Sequence, residues 1–365
     1  MKEQLQKIDI LRGLAILLVF GYHCLLIIFG PYHITEYNGL WVNMAATTGK
    51  HLFLSLNPIG QGSMGVSLFL FISGFLIHWG YLKANSTFEP LKFYNKRFWR
   101  IYPPYLFAIL VFLAILGLPS KLNLLTHFTL THNFSEQTVF GINPSFWSLA
   151  LEMQLYLLYP LYLLLHRYLG LGKSVIVIAV FSLATTAMGV LTERHLPGSA
   201  FNFWIVWVLG AYLGENFYYK KRLYHGNPWY LVVAYGCFLC LPLTPVSAYV
   251  GQFLFALLCV YAVDWYLHTE KTLLFSSLKV NNMLGLVGLY SYSIYLFHQP
   301  VLLNLLPIFS FNFANTYACI MGAFILFMLV LGFSRLTYHW LELPSIALGN
   351  KFYAKFHKQR ASLKS

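Results

Sequence analysis

Ten stretches of this 365-residue chain are apolar over lengths that approach or reach the roughly 20 residues a helix needs to cross a bilayer. They cover 11–29, 64–81, 101–118, 145–165, 174–191, 200–217, 229–241, 247–268, 283–306 and 316–341. The runs are continuous rather than alternating, and a segment in lipid must satisfy its own backbone, so they read as helices. The expectation is an all-α polytopic membrane protein with about ten transmembrane helices. The seventh run is short and ends in Leu-Pro-Leu-Thr-Pro, which suits a broken or tilted span. The turn at 167–172 packs the fourth and fifth runs as an antiparallel hairpin. Composition agrees: 58% of residues are hydrophobic and 10% charged, against about 25% charged in a soluble domain. A soluble cytosolic enzyme, a disordered chain and a secreted disulfide scaffold are all excluded.

The net charge of +13 admits nucleic acid, anionic lipid or an anionic cofactor as its reason. Position decides. If the ten runs all cross, twenty of the 24 Lys and Arg residues fall on one face, in the N-terminal segment, the inner loops and the C-terminal tail. Lys50, Lys121 and Arg194 fall on the other, and Arg335 lies near the end of the last run. This is the positive-inside asymmetry, so both termini are expected in the cytoplasm and no nucleic-acid partner is needed. The first run has 19 residues and no A-x-A site follows it, so it reads as a permanent span rather than a cleaved signal. Residues 1–345 then form one integral-membrane domain and 346–365 a basic cytoplasmic tail. The segments 30–63 and 119–144 are the two long outer loops. Cys24, Cys237, Cys240, Cys259 and Cys319 all sit in apolar runs and read as small hydrophobes; no metal is expected.

Ionisable groups inside lipid are costly, and each is a functional candidate. Arg12 and His23 are eleven residues apart, almost three helical turns, so they share a face about 16 Å apart along the axis. Arg12 then sits at headgroup level and His23 near mid-membrane. Ser73, beside Gly74 in the second run, falls at the depth of His23 by counting inward from the outer face. Gly74 itself suits close helix packing. Ser148, Glu152 and Tyr156 recur every four residues as one polar stripe, with Glu152 the deepest carboxylate. His298 lies near mid-membrane beside Pro300, which frees a carbonyl and kinks its helix. Glu342, at the inner end of the last run, suits pairing with Arg12 or Arg100. Asp264 and Glu215, at inner ends, read as solvated. The loop LKFYNKRFWRIYP mixes Lys92, Lys96, Arg97 and Arg100 with Phe93, Phe98 and Trp99. That pattern suits an anchor on anionic lipid and a grip on a phosphorylated, adenine-bearing cofactor equally well.

Six landmarks in this order resemble the membrane-bound acyltransferase-3 family: LRGLAILLVFGYH, GVSLFLFISGFLI, RFWRIYP, FWSLALEMQLYLLYP, YSYSIYLFHQP and the late ELP. The likeness spans residues 9–344, in a form without a fused hydrolase-like domain. It implies transfer of an acyl group, usually acetyl from acetyl-CoA, to a hydroxyl of a surface or lipid-linked glycan, in a bacterial inner membrane. It also implies Arg12 and His23 as the essential pair, Arg97 and Arg100 near the CoA phosphates, and Trp147, Ser148 and Glu152 as one motif. Lys96 and Trp99 join the expected cofactor loop. His23 is the expected base, with His298 as the alternative, and Ser73, Tyr156 and Glu342 are expected to support the site. The rival from another class is a proton-coupled transporter or glycan exporter, for which intramembrane His and Glu and a Pro-kinked span would also serve. A glycerolipid acyltransferase is less favoured because no H-x4-D signature occurs. The sequence is silent on oligomeric state.

Overall fold

The computed structural model describes residues 2–29, 56–192, 199–241, 246–269, 277–309 and 316–362. Most of the first long outer loop lies outside them. The described elements are helices: α1 (Lys2–Phe29), α2 (Met64–Lys83), α3 (Pro90–Leu116), α4 (Lys121–Phe128), α5 (Trp147–Leu191), α6 (Ala200–Tyr218), α7 (Pro228–Cys240), α8 (Ser247–His268), α9 (Leu278–Leu289), α10 (Ser291–Phe309), α11 (Thr316–Thr337) and α12 (Leu343–Ser362). A 3-10 turn covers His132–Phe134, and a π turn at Tyr338–Glu342 joins α11 to α12. Among the described residues, six helical segments are long and apolar enough to cross a bilayer: α1, α2, α3, α5, α8 and the run from α11 into α12. The count of ten is not reached by that measure, and the reason is physical. α6 is the buried centre of the bundle, with fourteen of its nineteen residues out of contact with the surroundings. α10 carries Ser291, Ser293, His298 and Gln299, all buried. Helices that face protein rather than lipid tolerate polar residues, which lowers their apolarity without exposing them.

The 45 residues of α5 are two helices. Gly170, at φ 76° and ψ 170°, is non-helical and breaks the rod; a left-handed φ of this kind suits glycine. Trp147 packs on Phe203 and His166 on Glu215, so residues 147–169 run parallel to α6. Past the break, Phe181 packs on Phe201 and Trp204, and Ser182 accepts the Ile205 N–H. The second arm has therefore returned to the starting end of α6, as expected of an antiparallel hairpin. The run 283–306 is broken instead: α9 ends at Leu289, and α10 restarts at Ser291.

Glycine allows helices to pack in close contact. A Cβ on Gly74 would lie 2.0 Å from the Trp207 carbonyl oxygen, and one on Gly210 would lie 1.9 Å from that of Phe71. α2 and α6 thus touch backbone to backbone, in the small-residue mode of membrane helices. Lys7, one of the twenty cations expected on the cytoplasmic face, is buried. Its ammonium reaches the Tyr266, Leu267 and Thr269 carbonyls at 3.3, 3.4 and 2.8 Å and caps the end of α8, where the helix dipole favours a cation. Asp264 is likewise buried rather than solvated. It accepts the Leu223 and Tyr224 N–H groups at 2.9 and 2.8 Å. Isoleucine, leucine and phenylalanine at 115, 157, 176, 320 and 324 are exposed on the outside of the bundle, which suits a lipid face.

The segment 119–144 is a folded cap rather than a loose loop. Tyr102 and Tyr105 donate to the Phe128 and His127 carbonyls. Pro300 has no N–H, which leaves the Leu296 carbonyl without its helical donor, and Asn143 Nδ2 supplies one at 3.0 Å. His127 and His132 stack face to face within the cap, ring centroids 4.0 Å apart and both fully buried. Burial lowers the His127 ring from its ordinary 6.5 to about 4. Burial, with the neighbouring His127 ring adding to it, lowers His132 to about 3. The folded cap therefore holds both rings neutral, while the unfolded cap protonates them near 6.5. The stability this confers is complete above pH 6.5 and drains as pH falls toward 4, by about 1.4 kcal/mol per histidine per pH unit at most. Amide hydrogen exchange across 120–146, corrected for intrinsic rates, is expected to lose protection between pH 7.5 and 5. Unchanged protection there would show that the pair does not titrate on unfolding of the cap.

Candidate active site

Five helices meet around one cavity of about 330 Å³, near the small end of ligand pockets. α1 contributes Arg12, α2 Ser73, α3 Arg97 and Arg100, α5 Ser148, Glu152 and Tyr156, and α10 Tyr292 and Tyr295. Val66, Phe69, Leu70, Ile72, Leu76 and Leu149 make the rest of the wall largely apolar. Each helix presents these groups by its own periodicity. Ser148, Glu152 and Tyr156 are one turn apart, and Arg97 and Arg100 are three residues apart.

The electrostatics are one-sided. Three guanidinium groups share the cavity wall with a single carboxylate, Glu152. That carboxylate accepts the Tyr156 hydroxyl, and Tyr156 also bonds Ser73 at 3.1 Å. Arg12 pairs with Asp9 at 3.3 Å, where the acid is partly exposed. Arg97 lies 5.6 Å from each of the Phe93 and Tyr156 ring centres, and its buried Nε has no protein hydrogen-bond partner. A buried, unpaired donor is expensive unless a ligand completes it. The chamber therefore combines a cationic wall with a largely apolar one.

Ser73 does not lie at the depth of His23. A Cβ on Gly65 would meet the Ala15 carbonyl and Val19, so Ser73, two turns further along α2, falls level with Arg12. α1 continues to Phe29, beyond the level at which α2 begins, so depth counted from helix starts was misleading. Glu342 forms no ion pair with an arginine within 4 Å among the described residues. It is buried in the π turn and accepts the Ser293 hydroxyl. Lys96 is exposed and does not line the cavity. Trp99 packs beneath α12, where a Cβ on Gly349 would lie 2.5 Å from its indole. Trp147 packs on Phe203.

His23 and His298 also lie outside the cavity wall, but they lie together. Their ring centroids are 5.0 Å apart, and His298 Nε2 is 3.3 Å from His23 Nδ1. Tyr295 joins them to the cavity: its ring is 5.3 Å from His298, and its hydroxyl meets Ser148 at 2.6 Å and donates to the Ser145 carbonyl at 2.8 Å. The contacts assign the tautomers. His298 Nδ1 lies 2.8 Å from the Tyr295 carbonyl, which can only accept, so the proton is on Nδ1 and Nε2 is a lone pair. His23 Nδ1 lies 2.8 Å from the Val19 carbonyl and carries its proton for the same reason. The neutral His23 ring therefore keeps a free lone pair at Nε2.

Sequence reasoning missed Tyr292 and Tyr295, whose signal is the alternating Tyr-Ser pattern before His298. It also missed a second cluster, in which Glu215 is buried between His78 and His166 rather than solvated. A family model described as an acyltransferase domain, that of acyltransferase family 3, matches residues 5–339. Neither the comparison with curated proteins nor that with solved structures gives a match. With 335 of its 365 residues matched, carrying the arginine-lined cavity and the histidine pair alike, the chain belongs to the acyltransferase-3 family and is a multi-pass membrane acyltransferase.

Proposed function

We propose that this protein transfers an acyl group, acetyl from acetyl-CoA, to a hydroxyl of a cell-surface or lipid-linked glycan, from a bacterial inner membrane. The observation that carries the reading is the cationic cavity with the unpaired Arg97 donor, connected through Tyr295 and His298 to His23, whose ring keeps a free nitrogen. CoA phosphates are held by Arg97, Arg100 and Arg12, since guanidinium forks suit phosphate oxygens. The slim apolar wall accepts the pantetheine arm and brings the thioester toward Tyr295. His23 Nε2 takes the acceptor hydroxyl proton as that oxygen attacks the thioester carbonyl. The C–S bond then breaks, and the departing CoA thiolate takes the proton back from His23. His298 holds the His23 ring in register, and Glu152 holds Tyr156 beneath Arg97. A direct transfer of this kind needs no acyl-enzyme. The chain would cross ten times, counting the two arms of α5, the buried α6 and α10 and the short α7, with both termini in the cytoplasm beside the CoA supply. The transporter alternative keeps no observation of its own once the family is known.

The test uses purified full-length protein in nanodiscs with acetyl-CoA labelled in the acetyl group. Label is expected in ester linkage on surface polysaccharide from the host. The reading falls if CoA neither shifts the melting temperature nor donates label to any glycan offered.

A further inference from the structure

We infer that His78, His166 and Glu215 form a binding site for a divalent transition-metal ion of the zinc type. The three residues come from three helices, α2, α5 and α6, and converge at the end of the first α5 arm. His78 Nε2 and His166 Nε2 each lie 2.9 Å from the same Glu215 oxygen, and the three ligand atoms all lie within 4.8 Å of one another. Tetrahedral zinc with bonds of about 2.0–2.1 Å places neighbouring ligand atoms about 3.3 Å apart, so the spacing needs only a small expansion. Two imidazoles and a carboxylate are a donor set zinc takes readily, with a fourth position left for water.

The alternative is a purely hydrogen-bonded clamp, and the geometry of His166 argues against it. His78 Nε2 is aligned with Glu215 as a hydrogen bond requires. His166 Nε2 is as close, but its N–H is poorly aligned with that oxygen for a hydrogen bond. A ring nitrogen at 2.9 Å with a poorly aligned N–H gains little from the oxygen as a hydrogen bond, whereas a cation between them would engage both lone pairs. The outer contacts fit as well. Tyr159 OH is 3.2 Å from His78 Nδ1 and fixes that ring, the supporting contact that metal-bound histidines require. The rings of Tyr81 and Tyr162 flank His78 at 5.7 and 5.4 Å and shield the site. The His166 and Glu215 side chains are 27% and 12% exposed, which leaves a path for the ion.

The site stands apart from the acyl-transfer cavity and does not depend on the proposed reaction. Tyr159 is one turn beyond the cavity residue Tyr156 on the same helix, so a bound ion would tie α2, α5 and α6 together next to the cavity.

Full-length protein in nanodiscs, stripped with a chelator and dialysed, is titrated with zinc chloride. About one equivalent is expected to remain after desalting, with a melting temperature raised by a few degrees. His166→Ala, at a partly exposed position, and Glu215→Gln, which keeps a hydrogen-bonding group, are each expected to lose both effects. His127→Ala should retain them. The proposal is overturned if wild type retains no zinc, or if retained zinc is indifferent to His166→Ala and Glu215→Gln. It is equally overturned if those variants lower the melting temperature of stripped protein while zinc shifts none of the three, because that result describes a hydrogen-bonded clamp.

Discussion

Arg97→Ala is expected to lower kcat/KM for the acyl-CoA donor by roughly 10²-fold or more, and Arg97→Lys by nearly as much. The side chain occupies a site that only a planar cation fills, with the Phe93 and Tyr156 rings each 5.6 Å from its guanidinium carbon. Lysine has no flat face to lay between two rings and no fork for phosphate oxygens. The Arg97 Nε is buried without a partner in the protein, so the free enzyme carries the cost of desolvating it and the ligand recovers that cost. The effect should fall on KM for the donor more than on kcat, because the contact is made in the ground state and kept in the transition state. The melting temperature measured with and without CoA provides the control: the variant should fold, yet show no CoA-dependent rise. A donor KM within a few-fold of wild type would place the phosphates elsewhere.

Much of this arrangement is legible in the chain, and where it is not the reason is geometric. The Ser148, Glu152 and Tyr156 stripe follows from spacing alone, and all three do line one wall. The hairpin is readable because Gly170 supplies the one residue type at ease with a left-handed φ between two long apolar runs. Depth is harder. Counting inward from the outer face puts Ser73 level with His23, but adjacent helices start at different levels, and the contact of Gly65 with Ala15 fixes the register. Burial of charge is harder still. Glu215 and Asp264 look solvated because each lies near a helix end, and a sequence does not reveal that His78, His166 and two backbone N–H groups wait there. Trp99 is the reverse case. Beside arginines it looks like a base-stacking platform, while in the fold it is the packing partner of Gly349.

His23→Ala is expected to lower kcat by about 10²–10⁴-fold, the usual worth of a general base, while leaving the donor KM close to wild type. The separation of effects follows from position. The arginines line the cavity and His23 does not, so in the proposed reaction donor binding and proton removal would fall at different ends of the site. His298→Ala is expected to cost less, because its Nε2 faces His23 rather than substrate and acts by holding that ring. His298→Gln, whose side-chain oxygen can accept from His23 Nδ1, should recover part of the loss, whereas a base at His298 itself could not be replaced by an amide. The pair therefore distinguishes the two histidines by rescue rather than by size of effect. Near-native turnover in His23→Ala would remove this ring from the chemistry. Equal, unrescued losses at both positions would show that the two rings act as one unit, as coupled catalytic groups do when either is deleted.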